Sequence, residues 1–348
     1  MKMVHEFCKA GHQATLVVPR KSSEQEEGVD DVFTFYGVDP FPIVYIPWKA
    51  FPGSKYLYSF FLACWIWLKR PALVYTRDFY PALHVALLGI PVVMEFHSPP
   101  LWGKGPYKSL AKRFYRSKSL KKLVVISEAL RRIFTKQGIE ETRLLVAHDG
   151  SDPAPEAQEP FPLQGTFKVG YVGHLYAGRG IKLIEGLARS LPGLDFHLAG
   201  GREKDVARWK SQTSELKNIH FHGFLPPSQT HAFRASCDVF LAPYQKKVII
   251  SDGKRDSSAY MSPLKIFEYM ASGKAIISSD LPVLREVLDE SIAVLCDPEK
   301  PEEWVDALKA LLANPEFLKR LGHQAKEKFL TQYTWEKRAS CVLNSIND

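Results

Sequence analysis

Residues 261–287 read MSPLKIFEYMASGKAIISSDLPVLREV, the pattern of a helix, a turn, a buried strand, a turn and a second helix. Ser-Pro is typical of the start of a helix, and Ser-Gly is typical of its end. KAIISS is a short apolar run of the kind that is buried on both faces of a parallel sheet. Helices that alternate with such strands indicate an α/β fold.

The same alternation extends over the whole chain. We predict six strands in each half, at 14–19, 32–38, 72–77, 91–96, 122–127 and 143–148, then at 167–173, 194–200, 219–223, 237–243, 274–279 and 292–296. Residues 150–165, GSDPAPEAQEPFPLQG, interrupt this pattern with four prolines. We therefore predict an α/β chain of two Rossmann-like, doubly wound parallel-sheet domains that face a central cleft.

The predicted N-terminal domain, residues 1–150, begins in an unusual way. It is followed by a Pro-rich linker at 151–166 and a C-terminal domain at 167–330. A Rossmann half opens with a strand and a glycine turn before its first helix, but residues 1–10 already look like that helix. We expect this first strand to be missing, with residues upstream of the chain; a rearranged strand pairing is the alternative.

Composition argues against several classes of protein. The chain has 348 residues, 45% of them hydrophobic, and a formal net charge of +8. Its five cysteines are scattered without a C-x-x-C spacing, so neither disulfides nor a zinc site is indicated and a reducing, cytoplasmic compartment fits best. Residues 1–13 lack the apolar core of a signal peptide. The most apolar run, 56–68, is too short to cross roughly 30 Å of hydrocarbon, so we predict a buried helix.

Positive charge is concentrated in residues 104–122, where eight of nineteen residues are Lys or Arg. Such a segment can meet membrane phosphates, nucleic acid or a phosphorylated substrate. A solvated helix face is the alternative. Trp102 and Tyr107 beside the charges favour an anionic membrane surface. No nucleic acid is expected as a partner, because no recognised binding module accompanies the charge.

The first candidate site lies on the helix predicted to begin at Ser262 and Pro263. Ser262 is a good N-cap, and the N–H groups at a helix start attract anions. A helical period assigns residues to two sides. The buried side contains Leu264, Phe267, Met270 and Ala271, and the open side contains Lys265, Glu268, Tyr269 and Ser272. Glu268 lies at the seam, where it can accept hydrogen bonds from a vicinal diol; a surface ion pair with Lys265 is the alternative.

A second candidate site is YVGHLYAGRGIKLIEGLA, residues 171–188. A strand ends there in a glycine-containing turn, so backbone N–H groups and the Arg179 guanidinium can converge on phosphate oxygens. A solvated loop arginine is the alternative. His97 follows the strand PVVMEF, at the edge where doubly wound sheets bind ligands. A hydrogen-bonded structural histidine is the alternative at that position.

Several stretches together resemble the retaining, nucleotide-sugar-dependent glycosyltransferases of family four, the glycosyl transferases group 1. They are KAGHQATLVVP, VVISEALRRIF, LLVAHDGSD, GYVGHLYAGRGIKLIEGLA, FHLAGG, SPLKIFEYMASGKAIISSDLPVLREVL and YTWEKRA, and they match the family in order and spacing over nearly the whole chain. The resemblance implies the GT-B architecture of two Rossmann-like domains. It also implies that the C-terminal helix, 331–348, packs back on the N-terminal domain.

The resemblance gives individual residues roles. Glu268 matches the second acid of the family's glutamate–seven residues–glutamate motif, which binds the ribose hydroxyls of the donor nucleotide. Arg179 matches a basic residue on the donor diphosphate, and Lys265 adds to that site. His97 matches a histidine that contacts the donor sugar near its reacting carbon. The implied catalytic residues are therefore His97, Arg179 and Lys265.

The other donor-binding residues that the resemblance implies are Gly173, His174, Gly223, Phe224, Ser262, Pro263 and Leu264. Two positions depart from the family. The first glutamate of the motif falls on Tyr260, so the sugar must be selected differently, by neighbours such as Asp256 or Ser262. The second cation of the diphosphate pair is replaced by His174, which weakens the site unless Lys265 helps.

The implied activity is that of a metal-independent hexosyltransferase that moves a sugar from a UDP- or GDP-sugar to a hydroxyl acceptor and retains the anomeric configuration. No cofactor and no metal are expected. The resemblance and the basic segment favour a lipid-linked acceptor in surface polysaccharide assembly, and a protein that is cytoplasmic or peripheral at the inner face of the membrane. A GT-B nucleotide-sugar epimerase and a non-catalytic nucleotide-sugar-binding GT-B protein are the alternatives.

Overall fold

The computed structural model describes residues 1–20, 29, 31–48, 51–100, 107–155, 159–249 and 256–347. They form two compact units: unit 1 is Met1–His148 with Trp335–Asp348, and unit 2 is Asp149–Thr334. The boundary predicted near residue 150 lies beside this division. Trp102, the first residues of the basic segment and part of the predicted linker lie outside the described residues.

Helices and strands alternate along the chain. The helices are α1 (Lys2–Lys9), α2 (Val32–Tyr36), α3 (Ser54–Lys69), α4 (Phe79–Leu87), α5 (Tyr107–Tyr115), α6 (Glu128–Lys136), α7 (Ile181–Ser190), α8 (Glu203–Gln212), α9 (Pro227–Ser236), α10 (Leu264–Ser272), α11 (Pro301–Ala313), α12 (Pro315–Gln332) and α13 (Trp335–Asn347). The strands are β1 (Leu16–Arg20), β2 (Ile43–Pro47), β3 (Val74–Thr76), β4 (Val92–Phe96), β5 (Leu120–Val125), β6 (Leu144–Val146), β7 (Lys168–Val172), β8 (Asp195–Ala199), β9 (Ile219–Gly223), β10 (Val239–Ala242), β11 (Ala275–Ser279) and β12 (Val294–Cys296).

Unit 1 contains two parallel sheets. β1 pairs with β2, and β3, β4, β5 and β6 form a second sheet in that order. Among the described residues the two sheets share no strand pair. In a Rossmann half a central strand joins two such groups.

One strand prediction in unit 1 is wrong. Residues 32–38 contain the helix α2, and the strand of this region is β2. Asp31 caps the helix, because its Oδ2 accepts hydrogen bonds from the backbone N–H and the hydroxyl of Thr34 at 2.7 and 2.6 Å. Gly37 ends it in a left-handed conformation with φ 55°. These caps override the β propensity of Val, Phe and Tyr.

The run predicted at 56–68 forms the helix α3, but this helix is only half buried, so the prediction of a buried helix is wrong. Leu62, Ala63 and Ile66 face the interior, whereas Phe60 and Phe61 are 54% and 59% exposed. The helix α4 packs against α3, and composition alone does not show that the other side of α3 is uncovered. Of the helices in the described part of the chain, none combines the length and apolarity needed to cross a membrane.

The C-terminal helix α13 belongs to unit 1, where Arg338 holds it. Arg338 is 3% exposed, and its Nη1 donates to Oε2 of the buried Glu95 in β4 at 3.0 Å. Its Nε donates to the carbonyl of His148 at 2.9 Å, and its Nη2 donates to the carbonyl of Ala147 at 3.3 Å. A buried ion pair and two backbone carbonyls thus fix α13 to β4 and to the residues after β6.

Unit 2 has one parallel sheet of six strands in the order β12-β11-β10-β7-β8-β9. All six strands predicted for the second half of the chain are confirmed. β10 and β11 are buried throughout, and large side chains of the flanking helices, among them Ile184, Leu187, Trp304 and Leu308, form the core. The second helix predicted in the opening stretch is wrong, since residues 282–287 form successive turns.

Three histidines lie side by side on β8 and β9. His197 is 1% exposed; its Nε2 donates to the carbonyl of Gln164 at 3.0 Å, and its Nδ1 lies 3.1 Å from Nε2 of His222. The ring of His220 stacks at 4.7 Å from that of His197, and its Nε2 lies 2.9 Å from Oδ1 of Asp195. Burial lowers the pKa of His197 to about 4, and the charges of the two other histidines act in the same direction.

This depressed pKa predicts a loss of stability in acid. Histidine has an ordinary pKa of 6.5, and the folded protein holds His197 near 4, so the unfolded chain binds more protons between these values. The contribution to stability is complete above pH 6.5 and is lost as the pH falls toward 4. Between about pH 7.5 and about pH 5, the melting temperature of the wild type should fall by several degrees more than that of His197→Phe. The same change at the exposed His323 should leave the wild-type pH dependence intact, and an equal fall in all three proteins would contradict the assignment.

The buried ion pair of α13 gives a second prediction. Arg338→Met leaves Glu95 charged and buried without its guanidinium, so unit 1 should lose about 3–5 kcal/mol of stability. Lys337→Met, one residue earlier and exposed, is the matched control and should cost less than about 0.5 kcal/mol. Chemical denaturation followed by circular dichroism measures both. Similar midpoints for the two variants would show that Arg338 does not hold the helix.

Candidate functional site

The candidate residues of unit 2 lie at the carboxyl edge of its sheet. The sheet order places β7 between β8 and β10, so the strand order reverses between β7 and β10. At such a reversal the connections leave in opposite directions and open a crevice that binds ligands. Gly173, His174 and Arg179 follow β7, and Lys265 lies in the first turn of α10, the helix reached from β10.

Glycines bring the backbone of adjacent loops together at this edge. Gly173 has φ 144° and its N–H donates to the carbonyl of Ala199 at 2.9 Å. A Cβ on Gly200, at φ 103°, would lie 2.5 Å from the carbonyl oxygen of Gly173. A Cβ on Gly180 would lie 2.0 Å from the carbonyl oxygen of Pro243. Only glycine fits these positions, and the result is a floor of main chain without side chains.

Arg179 lies among tyrosines rather than among acids. Its guanidinium carbon is 5.4 Å from the ring centroids of both Tyr176 and Tyr244. Its Nε is buried and has no hydrogen-bond partner among the described residues. A buried N–H group without an acceptor is costly, so this donor is suited to an anionic ligand.

Lys265 is a second cation in the same place. Its Nζ lies 3.8 Å from the ring centroid of Tyr171 and 5.1 Å from that of Tyr244. The position of a Cβ on Gly173 would be 2.8 Å from Nζ, so the ammonium borders the glycine floor. Burial, and then the charge of Arg179, lower the pKa of Lys265 well below its usual range. Within the described residues it forms no ion pair with a carboxylate.

The start of α10 adds uncapped N–H groups. Ser262 is not the predicted N-cap: Pro263 holds that position, Leu264 is the first helical residue, and no side chain caps the helix. The hydroxyl of Ser262 instead accepts a hydrogen bond from the N–H of Asp149 at 3.0 Å. Free N–H groups and the positive end of the helix dipole therefore remain beside Lys265.

Tyr269 fixes α10 against the end of β7. Its hydroxyl accepts a hydrogen bond from the N–H of Val172 at 2.7 Å, and its ring stacks at 4.3 Å on Phe240 of β10. The prediction that Tyr269 lies on the open side is wrong, and so is the prediction that Leu264 is buried, since Leu264 is 47% exposed. The helix α10 packs both on the sheet and on α12. Its buried side therefore differs from the side that the helical period predicts.

Glu268 pairs with a residue distant in sequence. Its Oε2 lies 3.4 Å from Nη1 of Arg234 on α9, and the Glu268 side chain stays 32% exposed while that of Arg234 is 6% exposed. The alternative of a surface pair with Lys265 is therefore wrong. Glu268 is nevertheless close enough to Lys265 for its charge to raise the pKa of that lysine, against the larger effects of burial and Arg179. A held, partly exposed carboxylate of this kind can accept hydrogen bonds from hydroxyl groups.

His174 adds no charge to the two cations. Its ring stacks at 4.8 Å on Tyr176. Desolvation, and then the charges of Arg179 and Lys265, lower the pKa of His174, which disfavours a third positive charge at this place. The hydroxyl of Tyr171 donates to its carbonyl at 2.6 Å and holds the turn.

Gly223 and Phe224 extend the same edge of the sheet. The carbonyl of Gly223, at the end of β9, accepts a hydrogen bond from the N–H of Gly200, which touches Gly173. Phe224 follows with 71% of its surface exposed. An open aromatic ring beside a glycine floor is suited to a flat ligand group.

The residues near the predicted sugar position form hydrogen bonds with residues close to them in sequence. The Asp256 carboxylate accepts hydrogen bonds from the N–H groups of Val248 and Ser258, both at 2.9 Å. The N–H of Tyr260 donates to the carbonyl of Ser257 at 3.0 Å. Selection of the sugar by Asp256 or Ser262 stays a prediction.

His97 belongs to unit 1, whereas the residues described above belong to unit 2. It follows β4 and lines a cavity of about 380 Å³ together with Arg77, Phe79 and Met94. Its Nε2 donates to Oε1 of Glu95, whose other oxygen accepts from Tyr75. Although burial raises it, the hydrogen bond from His97 and the charge of Arg338 hold the pKa of Glu95 well below its usual range.

Sequence reasoning missed several residues that shape these sites. Tyr244 follows β10 in APYQ, Arg234 lies on α9, and Glu95 is the one acid within the apolar strand PVVMEF. The acid in that strand was a usable signal, because a carboxylate buried in a sheet requires a partner. Tyr244 could also have been predicted, since it follows a strand at the predicted ligand edge of the sheet.

Comparison with known proteins identifies a family in each half of the chain. Residues 1–154 match the model of Glycosyltransferase Family 4, and residues 179–344 match that of the Glycosyl transferase-like family. No curated protein matches the sequence significantly.

Solved structures share the fold over almost the whole chain. A glycosyltransferase from Rickettsia africae has 15% identity and a TM-score of 0.74, with 99% of this chain and 92% of that chain covered. HepE of Anabaena, in complex with UDP and glucose, has 14% identity, a TM-score of 0.68 and coverage of 97% and 100%. Sucrose-phosphate synthase of Thermosynechococcus elongatus has 13% identity, a TM-score of 0.67 and coverage of 99% and 90%. At these identities the likeness concerns the fold.

The two cations predict binding of a small polyanion. Inorganic pyrophosphate should raise the melting temperature of the wild type, and Arg179→Met and Lys265→Met should each weaken that binding by about tenfold or more, because each removes charged hydrogen bonds. Without ligand, Lys265→Met should be at least as stable as the wild type, since it removes a partly buried charge that forms no ion pair with a carboxylate among the described residues. Lys182→Met, at an exposed position of α7, is the control. Wild-type pyrophosphate affinity in both site variants would contradict the assignment.

Proposed function

We propose, from the premise that this chain belongs to the GT-B glycosyltransferases of family four, group 1, that unit 2 binds a nucleotide-diphosphate sugar. The sugar is transferred to a hydroxyl acceptor, and its anomeric configuration is kept. The observation that carries this proposal is the pair of cations, Arg179 and Lys265, which share the Tyr244 ring and form no ion pair with a carboxylate among the described residues.

A diphosphate suits this place in charge and in shape. Its oxygens would supply the acceptor that Arg179 Nε lacks and the counter-ion that Lys265 lacks. The glycine floor allows the phosphates to approach the backbone, and the free N–H groups of α10 provide further donors. A polar group that is shielded from water and lacks a partner is costly in the free protein. A ligand that pairs with several such groups therefore binds more tightly than a ligand that contacts only exposed groups.

The same groups support the departure of the diphosphate. As the bond between the sugar carbon and the phosphate oxygen breaks, negative charge grows on that oxygen, and Arg179 and Lys265 stabilise it. The acceptor oxygen bonds to the same sugar carbon, and its proton passes to the departing diphosphate. No protein nucleophile and no metal are needed in this scheme, because two side-chain cations supply the positive charge.

The nucleoside extends along the sheet edge in this proposal. Glu268 accepts hydrogen bonds from the ribose hydroxyls, and Arg234 keeps its carboxylate in position. The base lies toward Gly223 and the exposed Phe224, beyond the glycine floor. HepE of Anabaena has been solved with UDP and glucose, so UDP-sugars are the first donors to test, followed by GDP-sugars.

The acceptor is the second substrate of the proposed reaction. We propose a hydroxyl of a lipid-linked glycan, as in surface polysaccharide assembly, because the basic residues of α5 favour an anionic membrane surface at the inner face. The role predicted for His97, contact with the donor sugar near its reacting carbon, stays a prediction. Hydrolysis or transfer of a donor sugar distinguishes an enzyme from a non-catalytic binder, and interconversion of sugar epimers would indicate the epimerase.

Glu268 gives the sharpest test of how the nucleotide is placed. Glu268→Gln keeps the shape of the side chain but removes its charge, so affinity for UDP should fall by about tenfold while affinity for pyrophosphate stays within about twofold. Isothermal titration calorimetry measures both ligands.

A control variant and one contrary outcome complete the test of Glu268. Glu185→Gln, on α7 and paired with Arg189, is the control and should change neither affinity. A large fall in melting temperature of Glu268→Gln with unchanged UDP affinity would show that Glu268 serves only the buried Arg234.

A further inference from the structure

The outward side of α3 is a stripe of large apolar residues. Leu57, Phe60, Phe61, Trp67 and Leu68 are between 47% and 71% exposed. Their spacing of three, four and seven residues places them on one side of a helix. Cys64, which is half-buried, lies within the same stripe.

This helix is apolar on both sides, unlike an ordinary surface helix. The interior side carries Ser59, Leu62, Ala63 and Ile66, which are smaller than the aromatic residues on the solvent side. Each square ångström of apolar surface left in water forgoes roughly 25 cal/mol of burial energy. A contiguous exposed patch of this kind usually marks an interaction site.

The stripe continues onto α4. Tyr56 packs against Tyr80 at 4.8 Å, and Phe60 packs against His84 at 6.4 Å, so both contacts join residues 24 positions apart. The same register brings the end of α4 beside Cys64. Leu87 and Leu88 at that end are 40% and 43% exposed. The stripe of α3 and these two leucines are called the apolar patch below.

A basic groove borders the apolar patch. A cavity of about 540 Å³ lies between α4 and α5, and its lining includes Leu87, Ser109, Lys112, Arg113, Arg116 and Ser117. Leu87 belongs to both features. Across the described residues, no carboxylate pairs with Lys112, Arg113 or Arg116. Three cations and two hydroxyl groups are suited to a phosphate group.

The surrounding sequence carries almost no negative charge. Residues 40–127 contain thirteen Lys and Arg residues but only two acids, Asp78 and Glu95. Asp78 caps α4, and Glu95 is buried beside Arg338. This part of the chain therefore carries a large excess of positive charge, and Lys55, Lys69 and Arg70 are exposed residues at the two ends of α3.

These features together fit one kind of partner. A second copy of the chain would place two positive faces against each other, and nucleic acid would leave the apolar stripe in water. A bilayer of anionic phospholipid offers phosphate groups at its surface and hydrocarbon just below. We propose that this face of unit 1 docks on an anionic phospholipid membrane, with the stripe of α3 in the interface and a lipid phosphate in the basic groove.

The proposal extends the anionic membrane surface of the proposed function, on which it rests, but it does not depend on the donor site. The apolar patch, the basic groove and the charge of residues 40–127 all belong to unit 1, whereas the donor site belongs to unit 2. The basic segment alone would give only an electrostatic attachment, which salt weakens. Insertion of the stripe predicts binding that persists in part at high salt.

Co-sedimentation of the full chain with vesicles tests the proposal. The wild type should bind vesicles of phosphatidylcholine with phosphatidylglycerol and leave vesicles of phosphatidylcholine alone largely unbound. The double variants Phe60→Ser with Phe61→Ser, and Arg113→Gln with Arg116→Gln, should each weaken binding by about tenfold or more. At high salt, the wild type and the arginine variant should keep the part of their binding that the stripe provides. The phenylalanine variant should lose its remaining binding. Inorganic phosphate at millimolar concentration should not release the bound wild type.

Matched controls come from exposed residues of unit 2. Leu312→Ser with Leu330→Ser, and Lys309→Gln with Lys319→Gln, should bind vesicles as the wild type does. Wild-type vesicle binding in both unit 1 variants would overturn the proposal. So would full release by phosphate, a dimer in sedimentation velocity that only the phenylalanine variant abolishes, or equal pelleting with RNA. UDP affinity, measured on the same variants, should be unchanged, which separates this proposal from that for the donor site.

Discussion

The candidate site of unit 2 depends on two positive charges that are partly shielded from water and that form no ion pair with an acid among the described residues. Arg179 and Lys265 lie against the rings of Tyr171, Tyr176 and Tyr244, and Glu268, whose charge acts on Lys265, is paired with Arg234. Such an arrangement is unfavourable in the free protein. It becomes favourable when an anion enters, and the glycine floor and the uncapped start of α10 leave room and donors for one.

Unit 1 handles a buried charge in the opposite way. Glu95 is surrounded by His97, Tyr75 and Arg338, so its charge is fully compensated within the protein. That network fixes the C-terminal helix and orients His97. A buried charge that is paired serves structure, and a buried charge that is left unpaired at a ligand edge is suited to function.

Much of this could be predicted from the sequence, and the rest fails for identifiable reasons. Alternating apolar runs locate most strands, because burial on both faces of a parallel sheet leaves a strong signal. Residues 32–38 mislead, since Asp31 and Gly37 turn a β-rich run into a helix. Which side of α3 is covered, and that Arg234 reaches Glu268, depend on contacts between segments far apart in sequence, which periodicity does not contain.

A crystal structure of the protein with UDP tests the central claim most directly. The account predicts diphosphate oxygens within hydrogen-bond distance of both Arg179 and Lys265, above the glycine floor, with the ribose hydroxyls on Glu268. UDP bound elsewhere, or bound with its phosphates in solvent while both cations keep only their tyrosine neighbours, would contradict it.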